Sequence, residues 1–334
     1  MTHESTRLTP VSLDWPDDPQ STRALGLLPP KGAPSLMLGR SNGTLTGVKP
    51  PHSPTADHFA EISTWILGAN NRFGTCGPVS VANQRRLITA YLTGTPYWFG
   101  DSEIFDLYRR SGNPDFDPNT GAGDNGVDMQ TMCEALMSGG FSGVKPVCFA
   151  QVDASNLDDV RACEEIFGSV LLGVTLQDAQ NLQTDDGLWK YSPSPTWGGH
   201  AIMSGRYTDP AGTLDDRTGV ISWQLVVNTT DDFLDHQCDQ VWVIIWPEHL
   251  GTKEFQQGVD LSVLAPEYEA LTGKPFPVPV PGPGPIPTPG PRVHSFVDLA
   301  LAKDAHAWLD HPNRWGRATS LRRSLAKWFE QEQL

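Results

Sequence analysis

The sequence predicts an α+β domain with its first long helix early and its strands late. Three observations predict it: a helix-spaced apolar stripe after Pro78, β-prone runs beyond residue 200, and a proline-alternating segment that closes the packed region.

Residues 1–55 are rich in Pro, Gly, Ser and Thr without sustained periodicity, and read as an extended arm. The packed domain is expected over 56–272. Its first clear element follows Thr75, where Val79, Ala82, Leu87, Ala90 and Tyr91 recur at helical spacing and Pro78 occupies a first turn, which tolerates proline. Ala201, Ile202 and Met203 suggest a buried strand, with His200 emerging at its start beside a glycine bend. Ile221 to Thr230 reads as one β-prone run, and Val241 to Ile245 as a later strand. Over 273–292 proline stands at nearly every second position, which fixes φ and removes donors, so this is a stiff polyproline linker. Residues 293–334 read as a small helical hairpin, with Phe296, Leu299, Ala302 and then Leu321, Leu325, Trp328 at helical spacing. That piece is too small to hold a large core, so it is expected to dock on a protein partner.

The net charge of −15 repels phosphate backbones, so no nucleic-acid partner is expected. No apolar run approaches the roughly 18 residues of a membrane span, and the N-terminus lacks the basic-then-apolar order of a secretory signal. The expected location is therefore cytoplasmic or within an assembled particle. Five cysteines at wide, irregular spacing fit neither a zinc site nor an exported disulfide framework, so no metal and no cofactor are expected. Asp115-x-Asp117-x-Asn119 hints at a calcium loop, but Thr120 stands where that loop needs glycine, and a turn-rich loop is the better reading.

Cys76 lies in Gly74-Thr-Cys-Gly-Pro78 at the mouth of the first helix. Unpaired amides and the positive end of the dipole favour thiolate there, which a nucleophilic cysteine requires. Of the nine histidines, His200 stands apart, entering an apolar run through Gly198 and Gly199. Asn228, at the end of the Ile221 run, is the expected partner that would hold its ring, with Asp209 and Asp231 as fallbacks.

The order of these three residues resembles that of papain-like cysteine peptidases, over roughly Trp65 to Pro247. Asn125 to Phe141 is similar to that family's helix and glycine turn, Val160 to Val174 to its helix leading into a strand, and His200-Ala-Ile to its His-Ala-Val strand. Cys76-Gly-Pro-x-Ser80 resembles the bacteriocin-processing, double-glycine branch of the superfamily, in place of the usual aromatic residue after the nucleophile. The resemblance implies a helical part against an antiparallel, barrel-like sheet. It also implies a cysteine-dependent peptidase that acts on peptide or protein through a thiol ester. Cys76 thiolate would pair with His200 imidazolium, Asn228 would orient the ring, and Asn70, with Asn71 as runner-up, would serve the oxyanion. The rival expectation is an inactive scaffold of the same fold within a larger assembly such as a viral particle. A third is a transferase or amide hydrolase using the same residues.

Overall fold

A computed structural model describes residues 23–31, 37–38, 52–208 and 217–277 of the chain. The elements follow in chain order: β1 (Met37–Leu38), β2 (Thr55–Asp57), α1 (Cys76–Thr93), α2 (Asp101–Arg110), α3 (Met129–Gly139), β3 (Cys148–Val152), α4 (Leu157–Phe167), β4 (Val170–Gln177), α5 (Asp178–Asp186), β5 (Leu188–Trp189), β6 (Thr196–Thr208), β7 (Arg217–Ser222), β8 (Leu225–Thr230), α6 (Asp231–Gln237), β9 (Cys238–Ile245), α7 (Lys253–Gly258) and α8 (Leu261–Thr272). The linker beyond residue 277 and the expected helical hairpin at 293–334 lie outside the described residues.

The strands make one nine-stranded sheet in the order β1-β3-β9-β4-β6-β7-β8-β5, with β2 also on β6. The central pairs β9–β4, β4–β6 and β6–β7 are antiparallel. Both faces are covered, which is why the central strands read as apolar runs rather than as clean alternations. Alternation survives in which core each residue joins. Leu172 and Val174 of β4 and Val241 and Val243 of β9 pack with α4, α7 and α8 residues such as Phe167, Phe255 and Leu264. Leu171, Trp242 and Ile244 turn the other way, onto Val79, Leu107 and Met132 of α1, α2 and α3. Cys76, at the start of α1, joins the core between that helical layer and one sheet face.

Helix α1 fixes the cysteine, and almost all of it is buried, including Asn83, Gln84, Arg85 and Arg86. Such polar groups need partners in a dry interior. Asn83 exchanges two bonds with the backbone of Ile66, Gln84 accepts from Trp246 Nε1 at 3.0 Å, and Arg85 grips Glu248 at 2.7 Å while lying over the Trp246 ring. Arg86 donates to Thr64 O and Tyr97 O. On the sheet side, Ser80 Oγ donates to Ala201 O at 3.2 Å, tying the first turns of α1 to β6.

Two expectations about the strands need correction. His200 does not begin a strand; it is the fifth residue of β6, buried between Val174 and the later strands. The run Ile221 to Thr230 is not one strand but a hairpin, β7 and β8, folded at Trp223 and Gln224 with φ of 46° and 68°. Two successive left-handed residues match the twist of a tight hairpin, a conformation usually given to Gly or Asn.

Candidate active site

Cys76 is the first residue of α1, 1% exposed. The chain reaches it through a sharp turn in which Gly68 and Ala69 have φ of 53° and 56°, closed by Thr75 Oγ1 donating to Gly68 O. Gly74 N–H donates to both oxygens of Asp124, which also receives the Tyr108 hydroxyl. Tyr108 in turn accepts from Gly126 N–H at 2.8 Å. This clasp fixes the loop over 113–127 as one wall of a groove, with Gly198 and Gly199 of β6 as the other.

Burial pushes the Cys76 thiol up to about 11, against the backbone N–H groups of Ala201, Gly77, Gly26 and Cys76 itself, which favour thiolate. His200 is fully buried, and desolvation lowers it to about 3. Both groups are therefore neutral at neutral pH. The expected thiolate–imidazolium pair is not formed in this structure. His200 Nδ1 has no hydrogen-bond partner, so no bond joins the ring to the Cys76 sulfur; Cys76 packs in the core shared with α1, α2 and α3, while Trp223, which stacks on His200, packs in the other core. What shifts both groups is the loss of water.

The other ring nitrogen is occupied. His200 Nε2 lies 2.8 Å from Ser222 Oγ, and the indole of Trp223 stacks on the imidazole at 4.3 Å between centroids and 12° between planes. In the tautomer whose Nε2 donates to the hydroxyl, Nδ1 keeps a lone pair able to take a thiol proton. Asn228, expected in this orienting role, is elsewhere: it sits in β8 opposite Gly219, and its Oδ1 accepts from Arg206 Nη2 at 2.8 Å. The hairpin turn explains the difference, because it brings Ser222, not Asn228, to the ring nitrogen. Asp231 is held by Arg161 at 2.7 Å, and Asp209 lies outside the described residues. Ser222-Trp223, where β7 ends and the turn begins, is the sequence signal for this contact.

Asn70 is 2% exposed, and its Nδ2 donates to Phe73 O at 3.2 Å and to Ala24 O at 3.4 Å. Trp223 Nε1 donates to the same Ala24 carbonyl at 3.2 Å. Asn71, the runner-up, makes no described bond of this kind. In the Asp115-x-Asp117-x-Asn119 loop, Asp117 accepts from Asn119 N–H and the Thr120 hydroxyl, which stabilise its carboxylate and lower its pKa.

Residues 23–31 of the arm run through the groove. Leu27 N–H donates to Gly199 O at 3.0 Å on one wall, while Leu28 N–H donates to Val127 O and Val127 N–H to Gly26 O on the other, at 2.8 and 2.7 Å. Ala24 N–H adds a bond to Asn70 O. Arg23 anchors the end of the segment on Asn181 and Asp185 of α5.

No family model matches the sequence, and no curated protein matches it. Solved structures do. Xylellain, a cysteine protease from Xylella fastidiosa, aligns with a TM-score of 0.50 and 12% identity over 67% of this chain and 96% of its own. Procathepsin B S9 from Trypanosoma congolense aligns with a TM-score of 0.46 and 10% identity over 68% and 88%. The chain has an α+β papain-like fold. Among the described residues no helix is long and apolar enough to cross a membrane.

Proposed function

We propose that the chain is a cysteine-dependent peptidase acting by acyl transfer, with Cys76 as nucleophile and His200 as its base. One observation carries the reading: the Ala24 peptide carbonyl rests on the Asn70 side-chain amide, in a segment whose Gly26 amide meets the Cys76 thiol at the N-terminus of α1. When a substrate carbonyl takes that position, the thiol proton passes to His200 Nδ1 and the sulfur attacks the carbonyl carbon. Asn70 Nδ2 and the Cys76 N–H hold the oxyanion. Collapse of the adduct breaks the C–N bond, His200 gives its proton to the leaving amine, and water then hydrolyses the thiol ester. Ser222 keeps the ring in register in place of an amide. The substrate is an extended peptide or protein segment, since Val127 offers a backbone donor and acceptor on one wall and Gly199 an acceptor on the other.

The test is labelling of the full chain with a peptidyl vinyl sulfone, together with hydrolysis of a fluorogenic peptide. Cys76 is expected to carry the label, and both readouts to vanish in Cys76→Ala and His200→Ala. An accessible Cys76 that alkylates but neither labels nor hydrolyses would leave the scaffold reading, with docking through residues 293–334.

A further inference from the structure

We propose that Asp124 and Tyr108 are positioning residues of the reaction: one carboxylate and one phenol tie the loop that carries Cys76 to the Val127 edge on which a peptide lies. The inference rests on the reading of Cys76 as nucleophile, and it adds two side chains that act on that site through the backbone.

The polar half of the link runs in one direction. Gly126 N–H donates to the Tyr108 hydroxyl at 2.8 Å, that hydroxyl donates to Asp124 Oδ1, and Gly74 N–H donates to the two oxygens of the same carboxylate at 3.0 and 3.2 Å. An ionised carboxylate only accepts, so the phenol must donate to it and keep a lone pair for Gly126. The Gly126 carbonyl is taken by Asn113 Nδ2 at 2.8 Å, and Asn113 Oδ1 accepts from Asn125 N–H at 3.0 Å. With the peptide groups before Val127 held in this way, Val127 offers both its N–H and its carbonyl to the groove.

The apolar half joins the same two segments. Phe73, Tyr108, Phe116 and Val127 form a small core of their own, with Phe116 edge-on to Tyr108 at 4.8 Å and to Phe73 at 5.1 Å. Phe73 precedes Gly74 and Val127 follows Gly126, so each polar contact has an apolar neighbour one residue away. Gly74 stands between clasp and groove: a Cβ there would meet Asp124 Oδ1, the Tyr108 hydroxyl and Gly26 Cα, each at 3.1 Å. Restraint matters at this point. Gly74 lies two residues before Cys76, and a glycine left free there would let the Cys76 N–H turn away from the oxyanion. Burial, then the Asp124 carboxylate, keep Tyr108 a phenol, and a charge on Cys76 acts on it in the same direction, so the clasp is within electrostatic reach of the sulfur.

The two side chains predict different losses. Asp124→Ala frees both segments, whereas Tyr108→Phe keeps the ring and the Gly74–Asp124 bonds and frees Gly126 alone. The experiment measures hydrolysis of a fluorogenic peptide by the full chain and its variants, with amide hydrogen exchange at Gly74 and Gly126 in the same proteins. Asp124→Ala is expected to lower kcat by about a hundredfold, the cost of a slightly misplaced reacting group. Asp124→Asn, which keeps Oδ1, should recover part of that loss. Tyr108→Phe should raise KM about tenfold and leave kcat within about threefold, because only the binding edge is loosened. Exchange should quicken at both glycines in Asp124→Ala and at Gly126 alone in Tyr108→Phe. A folded Asp124→Ala chain with wild-type kcat, or the same change of kcat and KM in both variants, overturns the proposal. If Asp124→Ala does not fold, Tyr108→Phe decides: a raised KM with kcat kept supports the proposal, and an unchanged KM overturns it. A wild-type chain that hydrolyses nothing sinks the peptidase instead. The exchange pattern then judges the clasp by itself, quicker glycine amides in Asp124→Ala keeping it and unchanged ones removing it.

Discussion

Ser222 Oγ meets His200 Nε2 at 2.8 Å inside a site where neither residue is more than 3% exposed. A hydroxyl can accept from a protonated ring or donate to a neutral one, so it tolerates both states of a base that cycles. Removing it leaves a buried ring nitrogen unbonded and both tautomers equally available. Ser222→Ala is expected to lower kcat by about tenfold or more, a fraction of what a general base contributes. Ser222→Thr should recover most of the loss and Asn228→Ala should cost little. Histidine 15N shifts would report the tautomer directly.

Asn70 and Trp223 converge on one carbonyl oxygen, at 3.4 and 3.2 Å. If that oxygen marks where charge develops, Asn70→Ala should reduce kcat by about a hundredfold with little change in KM, the cost of one oxyanion donor. Comparable losses in kcat/KM through KM alone would assign Asn70 to binding instead.

The pH dependence of site opening follows from the two buried groups. Cys76 is raised from 9.0 to about 11 in the closed groove, so the closed form holds the proton more tightly and is weakened as pH rises from 9 towards 11. His200 is lowered from 6.5 to about 3, so closure is complete above 6.5 and is lost as pH falls towards 3. Hydrogen exchange at the Leu27 and Leu28 amides should therefore be slowest, after correction for intrinsic rate, between about pH 6.5 and 9. A profile without a minimum there would show that these groups stay dry when the segment leaves.

Cys76 and His200 were legible as candidates because each carries a local signature: a cysteine before a first-turn proline, and a histidine entering an apolar run through two glycines. Ser222 was not, because the turn that presents it uses Trp223 and Gln224 at positive φ, residues that carry no turn signal of their own. Apolar Ile221, Leu225 and Val227 continue through the bend and disguise two strands as one. The segment over 23–31 was illegible for another reason. Its order comes from backbone bonds to distant walls, which leave no periodicity in Arg23-Ala-Leu-Gly-Leu-Leu28. Cys76 and His200 are both fully buried, and it is this loss of water, which the helix-terminus argument for a thiolate left out, that keeps them neutral.

Glu164 offers a stability test far from the thiol chemistry. It is fully buried in α4, and desolvation raises it to about 8, against the hydrogen bond from Ser204 and the charge of Arg161. A carboxyl raised in the folded state contributes its full stability below its unfolded value near 4.5 and loses it as pH climbs through 8. Tm should therefore decline across that interval, and Glu164→Gln, which keeps an acceptor for Ser204, should flatten the decline. A parallel fall in both proteins would trace the loss to other groups.

Gly199 gives the sharpest separation of closure from turnover. It precedes His200 on β6, has no positive φ, and its carbonyl receives Leu27 N–H, so alanine there strains no backbone. The added Cβ would lie 2.3 Å from Leu27 O, and the fixed strand cannot yield, so the segment must move off. Yet the same methyl narrows the slot for any peptide that follows. Gly199→Ala should thus raise Cys76 alkylation, while hydrolysis stays low through a raised KM. Thermal unfolding should shift little, because the strand keeps its pairing with β4. Raised alkylation accompanied by raised hydrolysis would mean that a substrate does not follow the path of residues 23–31.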